Sequence, residues 1–287
     1  MANRVAILGA GPAGLAAAHA AYLAGNWVHI FSRGEQSRLY GCQYLHAPLP
    51  EIRVEQRDVK YELRGTAESY REKVYGDAWK GKVSPSDLEG SHTAWDLRKA
   101  YNDLWHLYVA ERHGRSKFSV VDINPAWIEE WLTHPETAQF DHIISTVPAR
   151  LLCADYFGNH SFFGEDIWAV GDAAELGQVA PVTTPPETII CNGEDAPSWY
   201  RVSNVFGATT VEWPGRTKPP IPYAVRVTKP LHTDCDCYPN IVRMGRYGAW
   251  KKDQLTHHVF RQTLELLSAD SSEVPISLRS DHHRNSG

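Results

Sequence analysis

Cysteine is scarce in this sequence. Its 287 residues hold five thiols, odd in number and scattered at Cys42, Cys153, Cys191, Cys235 and Cys237. That usage excludes the disulfide framework of a small secreted domain and fits a reducing, cytoplasmic setting. Cys235-Asp236-Cys237 is the one close pair; with no second pair and no histidine at zinc-finger spacing, no metal site is expected. Long apolar runs are also lacking. No stretch reaches the roughly 18 uninterrupted apolar residues of a membrane span, so no membrane partner is expected. The apolar start of the chain is interrupted by Gly9, Gly11, Pro12 and Gly14, which argues against a signal peptide. Charge of one sign is modest: the formal net charge of −5 gives no general drive toward nucleic acid or anionic lipid. G-x-S-x-G, H-E-x-x-H and Walker patterns are missing, so no nucleophile or metalloprotease constellation emerges. Internal repeats and low-complexity blocks are missing too.

What is present describes a folded chain. A hydrophobic fraction of 43% with 22% charged residues supports a sizeable core, in one large domain or one carrying a smaller insertion. Ten tryptophans and thirteen tyrosines exceed ordinary needs and suit both core packing and a wall around a flat ring.

Arg4-Val5-Ala6-Ile7-Leu8 reads as a strand buried on both faces. An alanine-rich helix from Pro12 to Gly25 follows, with proline in its first turn and glycine past its end. Trp27-Val28-His29-Ile30-Phe31 is a second strand, and the β-turn-α-turn-β unit closes within about 30 residues. Between strand and helix stands Gly9-Ala10-Gly11-Pro12-Ala13-Gly14, a G-x-G-x-x-G in the context that gives the pattern meaning. Gly9 permits the tight turn, Gly11 lets a pyrophosphate approach the backbone, and Gly14 lets the helix pack close to the sheet. The helix amides then face the anion.

The acidic side chain that usually ends the second strand is missing. Ser32 and Arg33 stand there, with Glu35 nearby. Ser32 can bond a ribose hydroxyl, whereas Arg33 can stack on adenine or pair with a 2′-phosphate, which keeps NADP open beside FAD. Further along, Trp95, Tyr101, Leu104, Trp105 and Tyr108 form an aromatic stripe at helical spacing, read as core. Residues 174–234 are rich in proline and β-branched residues and predict a second, sheet-rich region.

With those residues in place, the chain resembles the FAD-dependent amine oxidase and UDP-galactopyranose mutase group of flavoproteins. The segment Val5 to Ala18 is very similar to their opening. His142-Ile143-Ile144-Ser145-Thr146-Val147-Pro148 resembles the family's strand ending beside the flavin. Met244-Gly245-Arg246-Tyr247-Gly248-Ala249-Trp250 and Pro197-Ser198-Trp199-Tyr200-Arg201-Val202-Ser203 resemble segments of the mutase branch. The matches run in order over about residues 4–268. The chain is shorter than usual members, which implies a trimmed substrate region.

The resemblance implies an α/β fold: a Rossmann-type FAD-binding domain with a parallel sheet, plus a smaller α+β substrate-binding region. Residues 1–50, 116–173 and 235–268 are expected in the former and 51–115 and 174–234 in the latter, with 269–287 as a tail. Cofactor contacts are expected from Gly9, Gly11, Pro12, Ala13, Gly14, Ser32, Arg33, Arg38, Gly41, Val147, Gly245, Arg246 and Trp250. Asp172, in a Gly-Asp-Ala segment like that of glutathione-reductase-like flavoproteins, competes with Gly245-Arg246 for the second flavin contact.

His46 is the first choice for a polar group beside the flavin, because an imidazole can move a proton near neutral pH. Arg201 can bind an anionic substrate, and Tyr200 can wall the site. The expected activity is oxidation of a C–N or C–C bond of a small or nucleoside-linked substrate, with C–N cleavage as a possible net result. A mutase-like reaction using reduced flavin and a non-catalytic dinucleotide-binding module are the alternatives.

Overall fold

The computed structural model describes residues 2–76, 79, 81–155, 159–171, 183–217, 219 and 221–269. Strand β1 (Arg4–Leu8) leads through the glycine turn into helix α1 (Pro12–Leu23) and back into β2 (Trp27–Ser32). β1 pairs in parallel with β2 in the register Val5↔Val28. Its side chains Val5, Ala6, Ile7 and Leu8 have no exposed surface, which explains a continuous apolar run in place of an alternating one. α1 buries Gly14 through Ala21, and its small alanines let the helix lie close on the sheet. Its one imidazole, His19, is satisfied there by the Tyr108 hydroxyl and the Pro50 carbonyl, each at 2.7 Å.

From β2 the chain leaves for β3 (Gln56–Arg64), α2 (Ala67–Tyr75), β4 (Gly90–Trp95) and α3 (Leu97–Trp105), and returns as β5 (Ser116–Val120). Helix α4 (Pro125–Thr133) and strand β6 (His142–Ser145) come next, then α5 (Ala149–Leu152), β7 (Phe162–Val170), β8 (Thr188–Asn192), β9 (Arg201–Val205), β10 (Ala208–Pro214), β11 (Val225–Thr233) and β12 (Val242–Arg243). A helical turn, Gly245–Gly248, and a terminal helix, Thr256–Ala269, close the described chain.

Two sheets result. The first is five-stranded, ordered β12-β6-β1-β2-β5, with parallel pairings throughout. The second is seven-stranded, ordered β11-β7-β10-β9-β8-β3-β4, and is antiparallel except between β3 and β8. The fold is the expected α/β arrangement with a second sheet, and the proline-rich stretch supplies strands β8 to β11.

Two segments set how the layers are built. β7 bonds to β10 and β11 in the second sheet. Conversely, α3 packs on α1, and the Tyr101 hydroxyl donates to the Ala10 carbonyl at 2.9 Å. The aromatic stripe therefore builds the core around the glycine turn. Among the described residues, no helix is long and apolar enough to cross a membrane. The predicted tail lies outside the described residues apart from Ala269.

Candidate functional site

The C-terminal ends of the parallel strands converge on the glycine turn, the edge where open α/β sheets place ligands. Gly9 has φ +101°, a backbone conformation that strongly favours glycine. A Cβ on Gly14 would lie 1.9 Å from the Gly9 carbonyl oxygen, so only glycine lets α1 sit this close to β1. Gly11 differs. The nearest atom to a Cβ built there is the Ser37 hydroxyl at 3.9 Å, so protein packing does not demand its glycine. Gly11 caps α1 without a side-chain hydrogen bond, Pro12 occupies the first turn, and no acidic residue follows. The helix thus presents uncapped amides beside an open approach, a fit for a pyrophosphate.

Two further loops close on this turn. After β6, the Thr146 amide donates to the Leu8 carbonyl at 2.9 Å, and Thr146 and Val147 wall Gly9. After β12, Gly245 has φ +77°, and a Cβ on it would lie 2.9 Å from the Cβ of Ala13. The Gly245-Arg246 segment is therefore seated against the first turn of α1. Arg246 follows directly and donates its Nε to the Lys252 carbonyl at 3.2 Å.

Beside that segment lies a cavity of about 360 Å³ lined by His46, Tyr61, Arg201, Arg246, Lys252 and His258, among others. Its size falls in the range of small-molecule sites. His46 packs at a tilt against Tyr44 at 4.7 Å and His257 at 5.7 Å between ring centroids. His46 is exposed as a residue, yet partial burial and the nearby His258, His92 and Arg246 lower its pKa from the ordinary 6.5. Burial likewise brings His257 down to about 4, aided by His258 and His46. Both shifts favour the neutral, proton-accepting form of His46 and His257.

Behind the cavity is a buried ion cluster. Glu212 on β10 is 1% exposed and receives the guanidinium of Arg201, the Tyr200 hydroxyl, the Lys229 ammonium at 2.9 Å and the Cys42 amide at 3.1 Å. Burial alone would raise its pKa. The Arg201 and Lys229 charges outweigh that and hold the carboxyl far below the usual carboxylate range. Lys229 is brought down to about 8 by burial, against the pull of Glu212. Gly41, at φ +74°, passes so close that a Cβ would meet the Glu212 carboxylate oxygen at 2.5 Å.

His46, Arg201 and Arg246 meet at one cavity. Tyr200, fully buried, stands one layer behind it, its hydroxyl also accepting from Lys229 at 2.6 Å. Trp250 is 1% exposed and lines a separate cavity of about 450 Å³ with Arg150, Asp166, Arg216 and Arg226. Ser32 ends β2 half-buried, and Arg38 is exposed. Arg33 pairs with Asp122 at 2.7 Å on the surface. An acidic group thus does stand near the end of β2, delivered by the segment after β5. Asp172 lies outside the described residues. Sequence reading missed Glu212, Lys229, Lys252 and His258. Glu212 alone left a trace, as a carboxylate in the middle of the apolar strand Val211-Glu212-Trp213.

No family model matches the sequence, and no curated protein matches it. Solved structures do resemble the fold. A variant of 2-methyl-3-hydroxypyridine-5-carboxylic acid oxygenase aligns at 14% identity over 95% of this chain and 84% of its own, with a TM-score of 0.51. BrvH, a flavin-dependent halogenase from Brevundimonas sp. BAL3, aligns at 11% identity over 93% of this chain and 72% of its own, also with a TM-score of 0.51. Reduced UDP-galactopyranose mutase aligns at 12% identity over 94% and 96%, with a TM-score of 0.49. The first two show that this chain shares their fold.

Proposed function

We propose that the chain binds FAD and is an oxidoreductase acting on a C–N or C–C bond of a small or nucleotide-linked substrate. The observation that carries this reading is the seating of Gly245-Arg246 against Ala13 at the uncapped start of α1, beside a cavity holding His46, Arg201 and Arg246. The backbone of Gly9 to Gly14 would hold the pyrophosphate, Ser32 the adenosine ribose, and the Val147 and Gly245-Arg246 loops the flavin end. Pairing of Arg33 with Asp122 supports FAD over NADP, since a carboxylate beside the guanidinium repels a 2′-phosphate. When bound, the flavin supplies the two-electron acceptor, and the protein supplies position and charge.

The chain's own contribution is threefold. Arg246, Lys252 and the exposed part of Arg201 orient an anionic group of the substrate. Neutral His46 takes the proton released as the substrate is oxidised. Glu212 fixes the Arg201 fork from behind, so the guanidinium enters the cavity in one orientation. An oxidised amine is an imine, which water cleaves, so C–N cleavage is the net result for an amine. The proposed compartment is the cytoplasm.

The test is an absorption spectrum of the purified protein, identification of the released nucleotide, and anaerobic mixing with an amine panel. Released FAD that bleaches with an amine supports the proposal. A colourless protein that takes up NADP alone would sink it. Activity confined to chemically reduced protein would select the mutase-like alternative, and bound FAD that no substrate bleaches would select the binding module.

A further inference from the structure

Outside the histidine-lined cavity, three of the five thiols and one imidazole meet. Cys153 follows α5, His160 precedes β7, and Cys235 and Cys237 follow β11. The antiparallel pairing of β7 with β11 ends at Phe162↔Thr233. That register brings the residue two before β7 beside the residue two after β11. Hydrogen bonds fix the crossing: Thr233 Oγ1 donates to the Ser161 carbonyl at 2.7 Å, the Ser161 amide to Asp234 at 2.6 Å, and the Cys235 amide to Thr233 Oγ1 at 3.1 Å.

One ligand atom from each of Cys153, His160, Cys235 and Cys237 lies within 4.8 Å of all the others. Cys153 Sγ is 3.3 Å from His160 Nδ1 and 4.0 Å from Cys237 Sγ, and Cys237 Sγ is 3.5 Å from His160 Nδ1. Zinc–ligand bonds of about 2.3 Å to sulfur and about 2.0 Å to nitrogen, set tetrahedrally, require S···S near ~3.8 Å and S···N near ~3.5 Å. The three edges among Cys153, His160 and Cys237 are close to those lengths, and Cys235 completes the group within 4.8 Å. A disulfide would need its sulfurs about 2.05 Å apart, half the separation here.

The surroundings complete the pattern. His160 turns Nδ1 to the thiols and Nε2 to the Asp236 carboxylate at 3.3 Å, the arrangement by which a carboxylate orients a metal-bound imidazole. Arg243 donates to Cys235 Sγ at 3.3 Å and to the Cys235 and Cys237 carbonyls at 3.1 and 2.5 Å. Three thiolates and a neutral imidazole around Zn²⁺ carry one net negative charge, which the guanidinium offsets.

We propose that Cys153, His160, Cys235 and Cys237 form a structural zinc site. Four protein ligands leave no open position for a substrate. Its place in the fold gives it a task. Cys153 follows the loop holding Thr146 and Val147, and Cys237 leads into β12 and Gly245-Arg246. The metal would tie together the two loops that close on the glycine turn, in a stretch where β12 contributes only two paired residues.

The test uses the full chain, purified under reducing conditions without a metal-affinity step and analysed by mass spectrometry for bound metals. Half an equivalent of zinc or more per chain, falling at least fivefold in both Cys153→Ser and His160→Ala and retained in Cys191→Ala, is the expected result. Should the ligand variants fail to fold, cobalt(II) exchanged into the unmutated chain gives an independent reading: intense visible bands of a tetrahedral site with thiolate charge-transfer absorption in the near ultraviolet. Less than half an equivalent of zinc after anaerobic reconstitution would overturn the proposal. So would zinc content indifferent to the ligand variants, or an octahedral cobalt spectrum.

Discussion

The two sheets handle charge in opposite ways. Around the parallel sheet, the candidate anion site is built from backbone: glycines that remove side chains, and helix amides left uncapped. In the second sheet, charge is sealed inside. Glu212 is the one fully buried carboxylate among the described residues, and its partners Arg201 and Lys229 reach it from β9 and β11. A backbone site tolerates change wherever no Cβ intrudes. An ion cluster behaves as a unit, because removing one member strands the others away from water.

The sharpest way to break this contrast is Glu212→Ala. It leaves a guanidinium and an ammonium buried without a counter-charge, and a loss of about 3–5 kcal/mol is expected in urea unfolding. Pairing Glu212→Gln with Lys229→Met should recover part of that loss, as expected for members that act together. The same cluster predicts an acid limb. The folded-state pKa of Glu212 lies below its ordinary 4.5, so its stabilisation is complete above that pH and is lost as pH falls below it. Melting temperature should therefore drop more steeply below pH 4.5 in the unmutated chain than in Glu212→Gln. Equal slopes would mean that Glu212 is not held as a carboxylate.

The glycine turn should separate stability from binding in a way the ion cluster does not. Gly14→Ala pushes a Cβ into the Gly9 carbonyl and should cost about 1–3 kcal/mol, the usual range for overpacking. Gly11→Ala meets nothing closer than 3.9 Å and should melt like the parent chain. Its purified protein should nonetheless retain at least tenfold less FAD, read as the ratio of flavin to protein absorbance. Full flavin content in Gly11→Ala would remove the pyrophosphate from this turn.

His46 lies where the two halves meet, and its substitution tests whether the cavity is chemical. His46→Asn should lower kcat by about 10²–10⁴-fold, the range for loss of a general base. In the parent, the acid limb of the rate profile should fall below pH 6.5, because the imidazole's pKa is lowered. The limb should vanish in the variant. A variant that keeps both rate and limb would reduce His46 to a packing residue.

These contrasts also explain what the sequence made legible. Gly9 and Gly14 are demanded by backbone geometry, so their need is written in their spacing along the chain. His142 to Pro148 and Gly245-Arg246 were marked by the family resemblance, and each stands at one strand end. Glu212, Lys229 and Arg201 are joined only by the register of β9, β10, β7 and β11, which no local pattern reports. The thiols behave alike: Cys235 and Cys237 are seen as a pair, yet Cys153 is 84 positions from Cys237.

Arg33 carries the smallest expected effect and the clearest choice between nucleotides. Its ion pair with Asp122 leaves both side chains about two-thirds exposed, at 66% and 67%. Exposed pairs contribute less than about 1 kcal/mol, so Arg33→Ser should leave unfolding almost unchanged. If the guanidinium recognised a 2′-phosphate, the variant would lose affinity for NADP. The geometry favours the other outcome. With Asp122 already holding the guanidinium, the variant should bind FAD within about threefold of the parent, and isothermal titration of the flavin-stripped protein measures this directly. A tenfold or larger loss of FAD affinity would mean that Arg33 leaves Asp122 to stack on the adenine. The nucleotide's outer end would then depend on a side chain, against the backbone character of the rest of the turn.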